Sequence, residues 1–363
     1  MNRKTRRLIF YFLTLTFLLV GPLLVGYSLG YIFDFSTASF EQTGGIFIKV
    51  KTPRVAVFLD GSAAGETGLL TGSAFLTDVR QGAHLVRLEK EGFRPWSKTV
   101  PVKSATVTEF RTILLIPRNL EIATSSKGEE LARSRATSTP GEGVTLNTKS
   151  QLTAGAGRTA RVILENVHSF TADGTDIFFV DKNGFLARMA SDSGVIATIG
   201  RPGFVLDGGP MRFIAGQRYL VIIDPSGGLF LYEKDTGILT AAASEVTDVS
   251  FDDAEQKLLL RRAQSIAALW LADNPYQPLQ QKGIVEEIIS GTVLIHDARW
   301  LYGTNAHIIW RTQDGLYFAE TDLRGGLNKT ELLSGITDEL ITHPSFPDTI
   351  FWRKGKTLYK TEL

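Results

Sequence analysis

The side chains able to do chemistry are few and scattered. The five histidines are His84, His168, His296, His307 and His343. No two of them stand at i, i+4, the spacing that brings two imidazoles to one metal on a helix face. There is no cysteine, which removes thiol catalysis, thiolate metal ligation and disulfide staples together. No Gly-rich phosphate loop, dinucleotide fingerprint, His-Glu-x-x-His or Gly-x-Ser-x-Gly occurs. The acidic neighbours Asp252-Asp253 and Glu286-Glu287 lie in strand-like sequence. Adjacent side chains on a strand point to opposite faces, so neither pair forms an acid/base couple. Trp270, Trp300, Trp310 and Trp352 read as core rather than as sugar-stacking platforms. Asn328-Lys329-Thr330 has the form of a glycosylation sequon, a triplet that chance often supplies. The sequence assigns no catalytic residue, no cofactor and no metal site. Ligand-binding residues stay unassigned, and the expectation is a protein that is not an enzyme.

The elements that would position any site begin with Leu8 to Phe33, which carries no charge. As a helix it would extend about 39 Å, against about 30 Å for a bilayer's hydrocarbon core. Arg3, Lys4, Arg6 and Arg7 precede it and Asp34 follows. The positive-inside rule then leaves the N-terminus cytoplasmic and exports everything from Asp34 onward. The alternative is a signal peptide cleaved near Ser36-Thr37-Ala38, although its apolar core would be unusually long. Of 39 Lys and Arg, four precede the apolar segment, so the remainder faces 38 Asp and Glu with a net charge of −3. No basic cluster is available there to neutralise phosphates, so a nucleic-acid partner is not expected.

Residues 34–43 form a polar spacer, and 44–117 form a run of short strands separated by Gly and Pro. Ile46, Ile48 and Val50 alternate onto one face, and Asp60-Gly61 is a turn. These features predict a small antiparallel β-sandwich. The residues resemble those of the PEGA domain family: Pro53, Asp60-Gly61, Gly65 and Thr67, Gly82 and His84, Lys90-Glu91-Gly92-Phe93, and Trp96. Two departures stand out. Pro53-Arg54-Val55-Ala56 replaces the naming tetrapeptide, and Gly68 replaces the proline after Gly-x-Thr. The resemblance implies an envelope or surface protein and no catalytic residues. Trp96 reads as core and His84 as structural.

Residues 118–160 are rich in Ser, Thr, Gly and charge. They read as a flexible linker between two independently folding domains, with a short helix around Lys127 to Arg135. From Arg161 the strands return as a repeat of aromatic, polar turn, buried strand, Gly turn and strand. The leading aromatics are Phe170, Phe213, Phe251, Trp300 and Phe346. A period of about 40–50 residues with several strands per repeat predicts a β-propeller over 161–363, of about five or more blades. The repeats resemble WD40, YVTN and TolB-like propellers but lack a sharp tag. A further pair of sandwiches is the rival reading. Thr312-Gln313-Asp314-Gly315 resembles the Asp-box turn of sialidase-type propellers, yet it occurs once and reads as a plain hairpin turn. The last unit is one strand short, and Arg161 to Val167 is expected to complete the blade holding Trp352 and Tyr359.

The fold class expected is therefore all-β with one N-terminal transmembrane helix, a PEGA-like sandwich and a propeller. The function expected is a membrane-anchored envelope module, held through residues 8–33, that binds a protein or cell-wall glycan partner. Two alternatives stay open: a tethered propeller enzyme acting on envelope glycans, and a structural stalk.

Overall fold

A computed structural model describes residues 3–34, 38–126, 144–155, 160–190, 192–335 and 337–363. The N-terminal helix runs Arg3–Ser28 with none of its residues buried, and it is long and apolar enough to cross a membrane. A signal sequence near the N-terminus can also form such a helix, although its apolar core is ordinarily shorter. The helix ends five residues before the expected Phe33. Gly30 is the cause: it takes the left-handed φ of +79°, and its N–H donates to Tyr27 O at 2.9 Å. The uncharged stretch from Leu8 to Ser28 then measures about 32 Å, close to one hydrocarbon core. Tyr31–Asp34 and Ser39–Gln42 form a two-stranded hairpin where the apolar segment's end and a spacer were expected. The Ser36-Thr37 pair and the Lys127 to Arg135 segment lie outside the described residues.

The sandwich has two sheets. One orders Ser73–Val79, Gly44–Val50 and Val107–Ile113; the other orders Ser62–Glu66, Ala56–Leu59, Gly82–Glu89 and Trp96–Val102. It is not wholly antiparallel, because Gly44–Val50 and Val107–Ile113 run parallel. Alternation builds its core: Ile46, Ile48 and Val50 face Val57, Val86, Leu88 and Val100.

Six further sheets follow among the described residues, each an antiparallel meander, and they form a β-propeller. Blade 1 has three strands, Val144–Leu146, Leu152–Ala154 and Arg161–Leu164. Blades 2 to 5 have four strands each and start at Val167, Arg212, Asp248 and Asp297. Blade 6 comprises Glu339–His343, Phe346–Lys354 and Thr357–Glu362, with Ala123–Thr124 as its outer strand. The second strand of blade 3, Tyr219–Ile223, is buried at every position, and those of blades 2, 4, 5 and 6 are each buried over four consecutive residues, because each blade lies between two neighbours. That explains the unbroken apolar runs in the sequence.

Two expectations are corrected here. Three strands drawn from 118–160 belong to propeller sheets. The closing strand is Ala123–Thr124, whereas Arg161–Leu164 pairs with Leu152–Ala154 inside blade 1. A two-residue strand leaves no periodicity to read, which is why the longer segment was favoured.

Candidate functional site

The meander topology sorts the propeller's loops into two ends. Turns joining first to second and third to fourth strands lie at one end, called the lower. Turns joining second to third strands, and the crossings to the next blade, lie at the other, the upper.

The sandwich covers the lower end at blades 4 to 6. Its edge strand Trp96–Val102 supplies most of the contact. Trp96 Nε1 donates to Glu320 Oε2 at 3.0 Å, and Lys98 Nζ lies 2.8 Å from Glu320 Oε1. The Lys98 side chain is fully buried, and its ammonium also donates to Asp322 O. Asn328 Nδ2 donates to Glu320 Oε1 at 2.8 Å and to Ser97 O at 3.2 Å. Thr99 N donates to Gly325 O at 3.1 Å, so a propeller loop pairs with the otherwise open sheet edge. Arg324 Nη2 donates to Glu109 O at 2.7 Å, and Gln277 Nε2 donates to Val107 O at 2.8 Å. Leu114 and Ile116 join an apolar cluster with Leu301, Ile309, Phe318 and Trp352. The interface leaves one small cavity of about 80 Å³ beside His307 and Glu320. The two domains are thus held face to face, which the expectation of independent units did not include.

The upper end carries a repeated charge pattern. In blades 4, 5 and 6 the first residue of the inner strand is acidic, and it pairs across the ladder with an arginine closing the second strand. The pairs are Asp248 with Arg261, Asp297 with Arg311, and Glu339 with Arg353. Blades 2 and 3 close the same strand with Asp181 and Asp224, whose carboxylates accept from N–H groups of their own turns. The arginines also tie blades together. Arg261 Nη1 donates to Ile295 O at 3.1 Å and Arg311 Nη1 to Thr337 O at 2.8 Å, each on the chain entering the next blade. Asp248 receives Arg212 from blade 3 at 2.5 Å and Arg299 from blade 5 at 3.0 Å. Burial would raise the Asp248 carboxyl, but these two guanidiniums hold it below the usual carboxylate range. Burial pushes the Arg261 guanidinium down, against the pull of Asp248 and Asp297. In this set five guanidiniums meet three carboxylates, while Asp181, Asp224 and Asp314 add carboxylates elsewhere at the same end.

Beside this set, between blades 4 and 5, a groove of about 460 Å³ opens at the upper end. That volume suits a small ligand or a few residues of a partner chain. Its floor is the stacked pair Trp310 and Tyr317, with ring centroids 5.4 Å apart. Its rim runs from Val293 and Asp314 at the upper end down to Glu331 and Lys329 at the lower start of the strand Lys329–Ser334.

Residues 43–115 match the family profile described as PEGA domain. This stretch is a PEGA domain. No curated protein matches the chain. Among solved structures the chain is similar to BamB from Moraxella catarrhalis, with 10% identity and TM-score 0.39, covering 86% of this chain and 92% of that one. It is similar to YCF48 from Cyanidioschyzon merolae, with 11% identity and TM-score 0.38, covering 60% and 76%. It is also similar to Hsv2 from Kluyveromyces lactis, with 11% identity and TM-score 0.38, covering 57% and 65%. Likenesses this distant carry no argument about ligands.

The residues singled out in the sequence fall into structural roles around the PEGA domain and the propeller. His84 bridges Asp60 Oδ2 at 2.7 Å and Arg80 O at 2.8 Å within the PEGA domain. His168 contacts Ser169 Oγ and Leu206 O. His296 is exposed, and His343 accepts from Ser345 N at 3.1 Å. Among the described residues no three His, Asp or Glu side chains gather to hold a metal. Asp252 and Asp253 lie in the turn after the strand Asp248–Phe251 rather than on a strand; Asp252 accepts from Gln256 N and Lys257 N and Asp253 from Gly303 N, so the two carboxylates serve separate partners. The Thr312 turn is a hairpin turn, closed by Thr312 N donating to Gly315 O at 3.0 Å. All four propeller tryptophans are at most 6% exposed. Trp270 and Trp300 hold the buried Lys257 ammonium between their rings, at 5.1 and 4.8 Å from the centroids. Trp96 does more than pack the PEGA core, since its indole reaches the propeller. The Asn328 amide is spent on that same interface, so the sequon has no accessible acceptor while the domains are docked.

His307 is the one strongly perturbed histidine. It stacks on Phe318 at 5.1 Å, and its Nδ1 lies 2.9 Å from Thr304 Oγ1. Burial first, then the nearby Lys257, Lys51 and Lys98 charges, push its pKa down to about 3. The folded state therefore binds this proton less readily than the unfolded chain. Stability from this group is complete above about pH 6.5 and falls as pH drops toward 3, by up to about 1.4 kcal/mol per pH unit. The variant His307→Phe should show a flatter stability profile over that window in denaturant titrations. An unchanged acid slope would mean that other groups set it.

Proposed function

We propose that the chain is a membrane-anchored, extracytoplasmic binding module without enzymatic activity. The helix holds it in the membrane, the PEGA domain and propeller act as one body, and the upper end receives a protein or cell-wall glycan partner. The observation that carries this reading is the docking geometry. The PEGA domain, which is joined to the helix, occupies the lower end, so the charged set and the aromatic groove stay uncovered at the upper end.

The test uses the full chain in its membrane. Protease added to wall-stripped cells should remove the propeller, and protection would overturn the orientation. The variant Val293→Asp changes an exposed groove residue on the chain entering blade 5. It should lower partner affinity by about tenfold or more, about 1.4 kcal/mol, while changing unfolding stability by no more than about 0.5 kcal/mol. Affinity for the partner purified with the wild type, measured by titration, decides it. Unchanged affinity would exclude the groove.

A further inference from the structure

We propose that the hairpin Tyr31–Asp34 and Ser39–Gln42 lies in the lipid headgroup layer as a second membrane contact, fixing how the PEGA domain stands on the bilayer. This inference rests on the membrane-anchored reading above.

Among the described residues the hairpin is a separate two-stranded sheet with no third strand. Such a sheet is marginal in water. Its register sets Tyr31 opposite Gln42 and Phe33 opposite Phe40, so these four side chains share one face. Three of them are aromatic and open to the surroundings: Tyr31 is 39% exposed, Phe33 41% and Phe40 61%. Phe33 and Phe40 meet edge to face, with centroids 5.1 Å apart, so the patch is one preformed apolar surface. The opposite face carries Ile32 and Glu41, both half-buried. The sheet is amphipathic, and Tyr31 and Phe40 keep its apolar side exposed.

The hairpin is also fixed to the end of the helix. Thr43 donates to Gly30 O through both its N–H and its hydroxyl at 2.8 Å, and Gln42 Nε2 donates to Leu29 O at 3.1 Å. These carbonyls belong to the turn that follows the last helical residue, so the hairpin base is tied directly to the end of the helix. Tyr31 starts three residues beyond Ser28, within about 10 Å of the helix end. A bilayer's interfacial layer is about 5–7 Å deep on each side of the hydrocarbon core. With the helix filling the core, the hairpin starts in or directly beside that layer. Aromatic side chains are favoured there, because their rings sit among headgroups and upper acyl chains. The occupant of this face is therefore the lipid surface, contiguous with the lipid that surrounds the helix.

The chain has no cysteine, so a single introduced one carries a unique spin label. The full-length chain is reconstituted in vesicles of phosphatidylethanolamine and phosphatidylglycerol, labelled in turn at Val20→Cys, Phe40→Cys and Leu70→Cys. Val20 lies in the helix, and Leu70 is 95% exposed on the PEGA domain. Collision with oxygen, which concentrates in lipid, is compared with collision with a water-soluble nickel chelate. The expected result places Phe40 with Val20, oxygen-accessible and shielded from nickel, and Leu70 the reverse. If Phe40 behaves like Leu70 while Val20 is in lipid, the hairpin proposal is overturned and the anchor stands. If Val20 is itself open to nickel, the anchor reading fails, and the hairpin proposal fails with it.

Discussion

Replacing Lys98 with Met should cost about 3–5 kcal/mol, the range for removing one partner of a buried ion pair. The side chains of Lys98 and Glu320 are 0% and 8% exposed. Without the ammonium, the Glu320 carboxylate stays buried with only the Trp96 indole and the Asn328 amide and backbone N–H as donors. Neutral donors cannot balance a full charge in a low-dielectric site. The double variant Lys98→Met with Glu320→Gln should recover part of the loss, because a glutamine oxygen still accepts from those donors and the stranded charge is gone. Denaturant unfolding of the detergent-solubilised chain measures both. A loss below about 1 kcal/mol for Lys98→Met would show that the pair does not hold the domains together. Gly325→Ala probes the same contact from the propeller side. Its Cβ would sit 2.3 Å from Thr99 O, and its φ of +68° already disfavours any side chain, so the loop must leave the sheet edge.

This interface marks where the sequence stops being readable. The elements themselves were legible. Ile46, Ile48 and Val50 announce a half-buried strand, and Tyr219–Ile223 announces one buried on both faces. Lys98 reads as an ordinary surface lysine, because the acid that neutralises it belongs to another domain far along the chain. Trp96 reads as core for the same reason: nothing local shows that its N–H has a partner elsewhere. The upper-end charges did leave a signal. An acid stands 13 or 14 residues before the arginine in Leu260-Arg261, Trp310-Arg311 and Trp352-Arg353. Comparing equivalent positions of the repeats, rather than searching for contiguous motifs, would have found it. The groove has no such signature, since its floor on blade 5 and its wall on blade 4 meet only when the blades pack.

Deleting Thr357 to Leu363 should abolish cooperative folding of the propeller. The strand Thr357–Glu362 pairs along its length with Phe346–Lys354, and on its other side it carries Ala123–Thr124. The deletion opens both edges at once. It also removes Leu358, 5% exposed against Ile341 and Phe351, and Tyr359, stacked on Trp352 with centroids 5.9 Å apart. One large buried aliphatic side chain is worth about 2–5 kcal/mol. Unpaired ladder groups add about 1–3 kcal/mol for each one left buried without a partner. Domain stability totals about 5–15 kcal/mol, so the sum consumes most of it. Ala123→Pro isolates the closure itself. It removes a ladder N–H from the short outer strand and leaves the blade's other three strands intact, so the melting temperature should fall by only a few degrees. The deletion should instead give a broad, non-cooperative melt with aggregation through the exposed edges. A truncated chain that stays monomeric, with its melting temperature within about 2 °C of the parent, would mean that the ring does not depend on the joining of its two ends.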